Sequence, residues 1–269
     1  MTQFRSVLIT GASSGIGRAL ALALAGSGVT LHLSGRDAVR LAEIAAACRA
    51  REATVREMVL DVRDAAAMAD WITGAGTLDL VVANAGISAG TVDGSPESGA
   101  QTRTIFATNL DGTLNTVLPA MAAMAKQLPG SDGVRGRIAA IASIAAFLPV
   151  PGAASYCASK AAIDAWTVAA ARGARRRGVL LTSVCPGYVR TAMTAANRFR
   201  MPGLMDADRA AEIILRGIAA GRVRVAFPWW MAGVARVVGL LPPRVIGTIL
   251  ARQPGKASLC PTGSRGRRA

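Results

Sequence analysis

Seven short, apolar, β-leaning runs alternate with Ala-rich segments of helical length, and this alternation limits the chain to very few folds. The runs cover residues 7–10, 29–33, 54–60, 78–83, 137–142, 179–185 and 223–227. Between them, residues 16–26, 36–51, 65–73, 98–127, 154–177 and 207–220 read as helices. Buried strands separated by helices predict an α/β fold: a Rossmann-type, doubly wound, seven-stranded parallel sheet with helices on both faces and right-handed crossovers. At 269 residues and 52% hydrophobic content the chain can bury a large core. No repeat or low-complexity linker interrupts residues 1–250, which are expected to form a single domain. Residues 251–269, rich in Pro, Gly, Ser and Arg, are expected to be a disordered basic tail.

The first strand-to-helix turn reads Thr10, Gly11, Ala12, Ser13, Ser14, Gly15, Ile16, Gly17. Glycines let a backbone approach a pyrophosphate closely, and the helix amino terminus adds free N–H groups and a positive dipole. In this strand–turn–helix context the motif predicts a dinucleotide site. An acid at the end of the second strand would grip the ribose 2′-hydroxyl of NAD, whereas an arginine suits the 2′-phosphate of NADP. Here Ser34 and Gly35 occupy the expected turn and Arg36 follows, which favours NADP(H) over NAD(H). The other reading of the same residues makes Arg36 a solvated first helical residue and Asp37 merely its cap. At the carboxyl ends of the third and fourth strands lie Asp61 and Val62, then Asn84, Ala85 and Gly86. Asp61 is placed to accept from an adenine amino group, and Asn84 and Gly86 to shape the cofactor crevice.

Tyr156 and Lys160 stand four apart, on one face of a predicted helix. A tyrosine ordinarily loses its proton near pH ~10. A neighbouring cation favours the phenolate, so such a pair suits acid–base work nearer neutrality. Ser143, thirteen residues before Tyr156, would end the fifth strand and hydrogen-bond the oxygen whose proton the tyrosine handles.

Taken together and in order, these motifs resemble the short-chain dehydrogenase/reductase family, over about residues 4 to 225. The resemblance also rests on Asn109 within Ala107, Thr108, Asn109, Leu110, Asp111, Gly112, and on Pro186 and Gly187 followed by Thr191. It implies a catalytic group of Asn109, Ser143, Tyr156 and Lys160. Tyr156 would be the general acid in carbonyl reduction or the base in alcohol oxidation. Lys160 would lower the tyrosine's pKa and hydrogen-bond the nicotinamide ribose, and Ser143 would orient the substrate oxygen. Asn109 would hold a water of a proton relay at a local break in its helix. The loop from Pro186 would lie over the nicotinamide, with Val189 and Thr191 near its carboxamide. The resemblance further implies a homo-oligomer, dimer or tetramer, although residues 171–177 lack the acid that often appears at the end of this helix.

The four cysteines, Cys48, Cys157, Cys185 and Cys260, lack metal-ligand spacing, so no metal is expected and reduced thiols in a cytoplasmic protein are. The amino end carries no long apolar segment with a cleavage site, so no secretory leader is expected. His32, in a strand with no ligand partner nearby, is assigned to packing. The formal charge is +15, and from Ile213 onward ten Arg or Lys residues face no Asp or Glu. Such a surface favours phosphates, anionic membranes or nucleic acid, but no nucleic-acid-binding module accompanies it, so no nucleic acid is expected. The apolar stretch 222–250, with Trp229 and Trp230, is interrupted by Arg236, Pro242 and Pro243. It is therefore expected not to span a membrane. It is read either as a lid and subunit interface, or as a peripheral contact at the inner face of a membrane through residues 227–250. A hydrophobic ketone, aldehyde or secondary alcohol follows as substrate class, with a variable substrate loop over 194–205, including Phe199. A non-catalytic NADP-binding regulator on the same fold is the alternative.

Overall fold

A computed structural model describes residues 4–91, 95–195, 197 and 200–250. The tail 251–269 with Cys260, and Phe199 of the expected substrate loop, lie outside them. The seven strands are β1 (Ser6–Thr10), β2 (Thr30–Gly35), β3 (Thr54–Val59), β4 (Leu80–Ala83), β5 (Gly136–Ile141), β6 (Val179–Pro186) and β7 (Arg224–Phe227). They form one sheet in the order β3-β2-β1-β4-β5-β6-β7, every pair parallel. The order reverses between β1 and β4, and the carboxyl ends of those strands open the crevice where such sheets bind ligands.

Alternation along each strand feeds two apolar layers. Val7 and Ile9 of β1, with Leu80 and Val82 of β4, face α1 (Gly15–Leu24), α2 (Ala38–Arg49) and α8 (Ala207–Ala219). Leu8, Val81 and Ala83 face the opposite layer, built with α3 (Ala65–Gly74), α5 (Gly112–Met124) and α6 (Ala154–Arg176). Burying each large aliphatic side chain contributes about 1.5–3 kcal/mol, so the central strands are apolar on both faces. His32 is buried in β2, where burial first and the charge of Arg56 second lower its pKa, in keeping with packing.

Two local expectations change, and the break expected at Asn109 is present. β2 runs through Gly35, so Ser34 and Gly35 are its last residues rather than a turn. β3 is an edge strand in which only Val55 is buried. The helix expected over 98–127 begins as α4 (Gly99–Phe106), passes through a π-helical turn at Ala107–Asp111, and resumes as α5. The break therefore falls on Asn109, and such single π turns recur at functional sites.

Beneath the site, α6 is bolted to the far side of the sheet. Arg224 on β7 donates to Asp164 through Nε (2.8 Å) and Nη2 (2.7 Å), and Ser183 Oγ donates to the same carboxylate at 2.6 Å. Burial would raise the pKa of Asp164, but hydrogen bonds from Arg224 and Ser183 outweigh it and hold the carboxyl below its usual range. The neighbouring Cys185 thiol is pushed up to about 12, chiefly by burial. Cys48, Cys157 and Cys185 are all buried.

After β7, the 222–250 segment forms α9 (Trp229–Gly239) and α10 (Pro243–Leu250). Ala232 and Ala235 of α9 pack on the 3₁₀ turn Ile144–Phe147 that follows β5. Gly239 is required there, since any side chain would collide with the carbonyl of Phe147. Among the described residues, no helix is long and apolar enough to cross a membrane.

Candidate active site

The crevice at the β1/β4 switch begins with a cross-strand lock. Thr10 Oγ1 accepts from the main-chain N–H groups of Asn84 (3.0 Å) and Ala85 (3.1 Å), and Asn84 Nδ2 donates to the carbonyls of Thr10 and Gly11. Asn84 therefore shapes the wall by holding the glycine turn against β4. Gly11 has φ +64°, and a Cβ on it would sit 2.8 Å from Ala85 Cα. Only glycine tolerates both. Gly17 does not line the crevice: its Cβ would lie 2.4 Å from the Gly11 carbonyl oxygen, so its part is close packing of α1 under the turn.

The residues present fit a nicotinamide dinucleotide. The Ser14 side chain does not cap α1, and the first turn carries no acid, so the helix dipole meets the crevice unopposed. Gly11, Ser13, Ser14, Gly15 and Ile16 line that end, and Thr191 closes over it, its Cγ2 3.0 Å from where a Gly15 Cβ would be. Asp61, Val62, Ala85 and Gly86 form the walls, with Pro186, Gly187 and Val189 opposite. The carboxylate of Asp61 is bonded to Arg63 Nη2 (2.7 Å), which depresses its pKa; the nearby charge of Arg36 acts in the same direction. An ionised carboxylate keeps further acceptor positions for a ligand.

At the β2 end both readings of Arg36 are partly met. Asp37 does cap α2, accepting from Arg40 N at 3.0 Å, but Arg36 precedes the cap and lines the crevice instead of entering the helix. Arg40 lines it too, its Nε 2.7 Å from Asp37. Sequence reasoning missed Arg40, which reaches the crevice from the first turn of α2.

Ser143, Tyr156 and Lys160 come together at the other end of the crevice. Ser143 ends the β5 excursion and caps the 3₁₀ turn, its Oγ accepting from Ala145 N at 3.1 Å and hydrogen-bonding the Tyr156 phenol. Lys160 is buried and donates to the Ile141 carbonyl at 2.8 Å. The expectation that Lys160 depresses the tyrosine is not met in the protein alone. Burial raises the Tyr156 pKa, the Ser143 hydrogen bond offsets this only in part, and Lys160 Nζ stands 5.9 Å from the ring centroid. Burial lowers Lys160 itself to about 8.

Asn109 is fully buried and does not line the crevice. Its Oδ1 accepts from Ile87 N (2.8 Å), and its Nδ2 donates to the Ile87 carbonyl (3.0 Å) and to Ser159 Oγ (3.1 Å). The Asn109 side chain is thus a clamp between the loop after β4 and α6. Lys160 Nζ and Asn109 Oδ1 flank Gly86, 3.5 and 3.2 Å from the position of its absent Cβ. Glu97 was also missed. Its carboxylate accepts from Ser155 N at 3.2 Å and from Ser155 Oγ, capping from afar the helix whose first turn carries Tyr156. Nothing local in the sequence signals a contact across 58 residues.

Of the expected substrate loop, Thr194 lines the crevice, as does Met193 just before it, and Met205 returns to bond Tyr188 and Arg190 through the backbone.

Comparison with known proteins agrees with this geometry. A family model described as short chain dehydrogenase matches residues 5–201. The chain is 38% identical over 246 residues to an uncharacterized oxidoreductase of Myxococcus xanthus, covering 89% of this chain and 93% of that one. An uncharacterized oxidoreductase of Mycobacterium tuberculosis is 32% identical over 252 residues, covering 90% and 95%. Among solved structures, a short-chain dehydrogenase from Sphingobium yanoikuyae in complex with NADPH shares the fold, with a TM-score of 0.75 at 24% identity over 88% of this chain and 94% of that one. A putative short-chain alcohol dehydrogenase from Sinorhizobium meliloti gives 0.63 at 33% identity, covering 71% and 74%.

Proposed function

The chain belongs to the short-chain dehydrogenase family and is an oxidoreductase acting on a CH–OH/C=O pair; from that premise we propose that it is NADP(H)-dependent and works on a hydrophobic ketone, aldehyde or secondary alcohol. The observation that carries the reading is the Ser143–Tyr156 hydrogen bond over buried Lys160, across the crevice from an uncapped helix amino terminus. When bound, the nicotinamide supplies or accepts the hydride. In reduction, the substrate oxygen accepts from Ser143 Oγ and the Tyr156 phenol, and Tyr156 passes its proton to that oxygen as charge develops. Burial keeps Tyr156 protonated at neutral pH, which is the acid form that reduction needs. The Lys160 ammonium, with three donors, would hold the nicotinamide ribose, while Asn109 and Glu97 hold the loop and helix that set these groups. A homo-oligomer belongs to the same reading.

Reduction needs both a protonated Tyr156 and a charged Lys160. Because the phenol is raised and Lys160 lies at about 8, kcat/KM for reduction is expected to be level below pH 8. Above that pH it should fall toward tenfold per pH unit as the ammonium deprotonates. A profile level to pH 10 would remove Lys160 from the charged role.

The NADP assignment rests on Arg36 and Arg40 at the crevice and on Ser34 and Gly35 where an acid would serve NAD. Nicotinamide-fluorescence titrations should show tighter binding of NADPH than of NADH. Arg36→Ala should weaken NADPH by about 10- to 100-fold, the worth of a charge-assisted hydrogen bond, and leave NADH unchanged. Equal affinities for the two would reverse the assignment.

A further inference from the structure

The pair α9–α10 turns an apolar face away from the body of the protein. Trp229 is 82% exposed, Val237 65% and Leu240 86%, with Val234, Val245 and Ile249 also exposed. On a helical projection Trp229, Val234, Val237 and Leu240 fall on one side of α9, opposite the buried Ala232 and Ala235. Exposed apolar patches of this kind mark interaction surfaces.

Charge decides between occupants. Arg236 and Arg244 are exposed on the same two helices, and the sequence from Ile213 to its end contains ten Arg or Lys residues and no Asp or Glu. A two-fold contact between copies would set this patch against itself, bringing the arginines of both copies into one interface with no acid in the segment to neutralise them. An anionic lipid surface matches both the apolar side chains and the arginines. We propose that α9–α10 is an interfacial docking element, lying in the plane of an anionic membrane with Trp229 and Leu240 among the acyl–headgroup boundary groups.

The location links docking to the crevice. α9 rests on the 3₁₀ turn that follows Ser143, and Arg236 sits over the Phe147 ring at 4.2 Å. Between that turn, α6 and α10 lies an apolar cavity of about 550 Å³, with Val150, Cys157 and Ile246 in its walls. A membrane-bound protein would thus present its substrate side toward the lipid.

The test is co-sedimentation of the full chain with phosphatidylcholine vesicles, with and without phosphatidylglycerol. Binding is read without turnover, so the outcome is independent of hydride transfer. Vesicles containing phosphatidylglycerol should bind at least about tenfold more protein, and added salt should weaken the binding. The variant Trp229→Ser/Leu240→Ser, both positions being solvent-exposed, should keep its circular dichroism and melting temperature yet lose about tenfold in binding. Arg244→Ala should lose about fivefold. Equal pelleting on the two vesicle types, or an unchanged Trp229→Ser/Leu240→Ser variant, would overturn the proposal. So would a dimer that dissociates on Leu240→Ser without any vesicle binding, which would make the face a contact between copies.

Discussion

Tyr156→Phe is expected to reduce kcat by about a thousandfold, within the range of 10²–10⁴ that a positioned acid–base group contributes, while NADPH binding is unchanged. The phenol hydroxyl is the one group at the crevice end that both hydrogen-bonds Ser143 and stands on the same helix face as Lys160. Removing it leaves the ring, and hence the packing of the first turn of α6, in place. The glycine turn, Thr191 and Arg36 lie on other elements and should hold the nucleotide as before. Single-turnover kinetics with NADPH separate the two effects, since lost chemistry lowers kcat and lost binding raises the dissociation constant. Residual turnover within tenfold of the parent would move the proton-transfer role elsewhere.

Asp164→Ala is expected to destabilise the fold by about 3 kcal/mol, the lower end of the cost of breaking a buried ion pair. The lower end applies because Arg224 is 34% exposed and can recover some hydration, whereas Asp164 is 8% exposed. The variant also strips Ser183 Oγ of its buried acceptor. Urea denaturation should show a lower midpoint with an unchanged slope. Replacing both partners, Asp164→Leu with Arg224→Met, should restore most of the loss, since an apolar pair of similar volume is often no worse than a buried ion pair. The folded pKa of Asp164 is depressed, so its stabilisation is present above the ordinary carboxylate range and is lost as pH falls through the folded value. The acid limb of the stability profile should accordingly flatten in Asp164→Ala. A loss below 1 kcal/mol would show that the Asp164–Arg224 pair adds little to what holds α6 on the sheet.

How much of this was legible beforehand differs from residue to residue. The strand and helix pattern was, because Val7, Leu8 and Ile9 or Leu80, Val81 and Val82 can be consecutive and apolar only where both faces of a sheet are covered. The glycine turn, Ser143, and Tyr156 with Lys160 were legible for a similar reason: each needs a particular residue type at a short, fixed spacing. Arg36 reached the crevice as expected, but its companion Arg40 and the cap Asp37 were told apart only by the structure.

The rest depended on contacts between residues far apart in sequence. Glu97 capping α6, Asp164 bonding Arg224, and Asn109 clamping Ile87 to Ser159 join positions separated by 22 to 60 residues. No local pattern encodes such a meeting. The proton balance was likewise decided by the fold, since burial raises Tyr156 and lowers Lys160, opposing the simple pairing of phenol and cation. The sequence alone determined the parallel sheet with its covering helices and singled out the candidate reacting groups, because periodicity and short motifs are local properties. The strand order and its switch point came from the fold. Tertiary structure alone decided which of those groups face the crevice, which brace it, and which apolar residues of the last two helices stay uncovered, because desolvation and long-range hydrogen bonds arise only once the chain has packed.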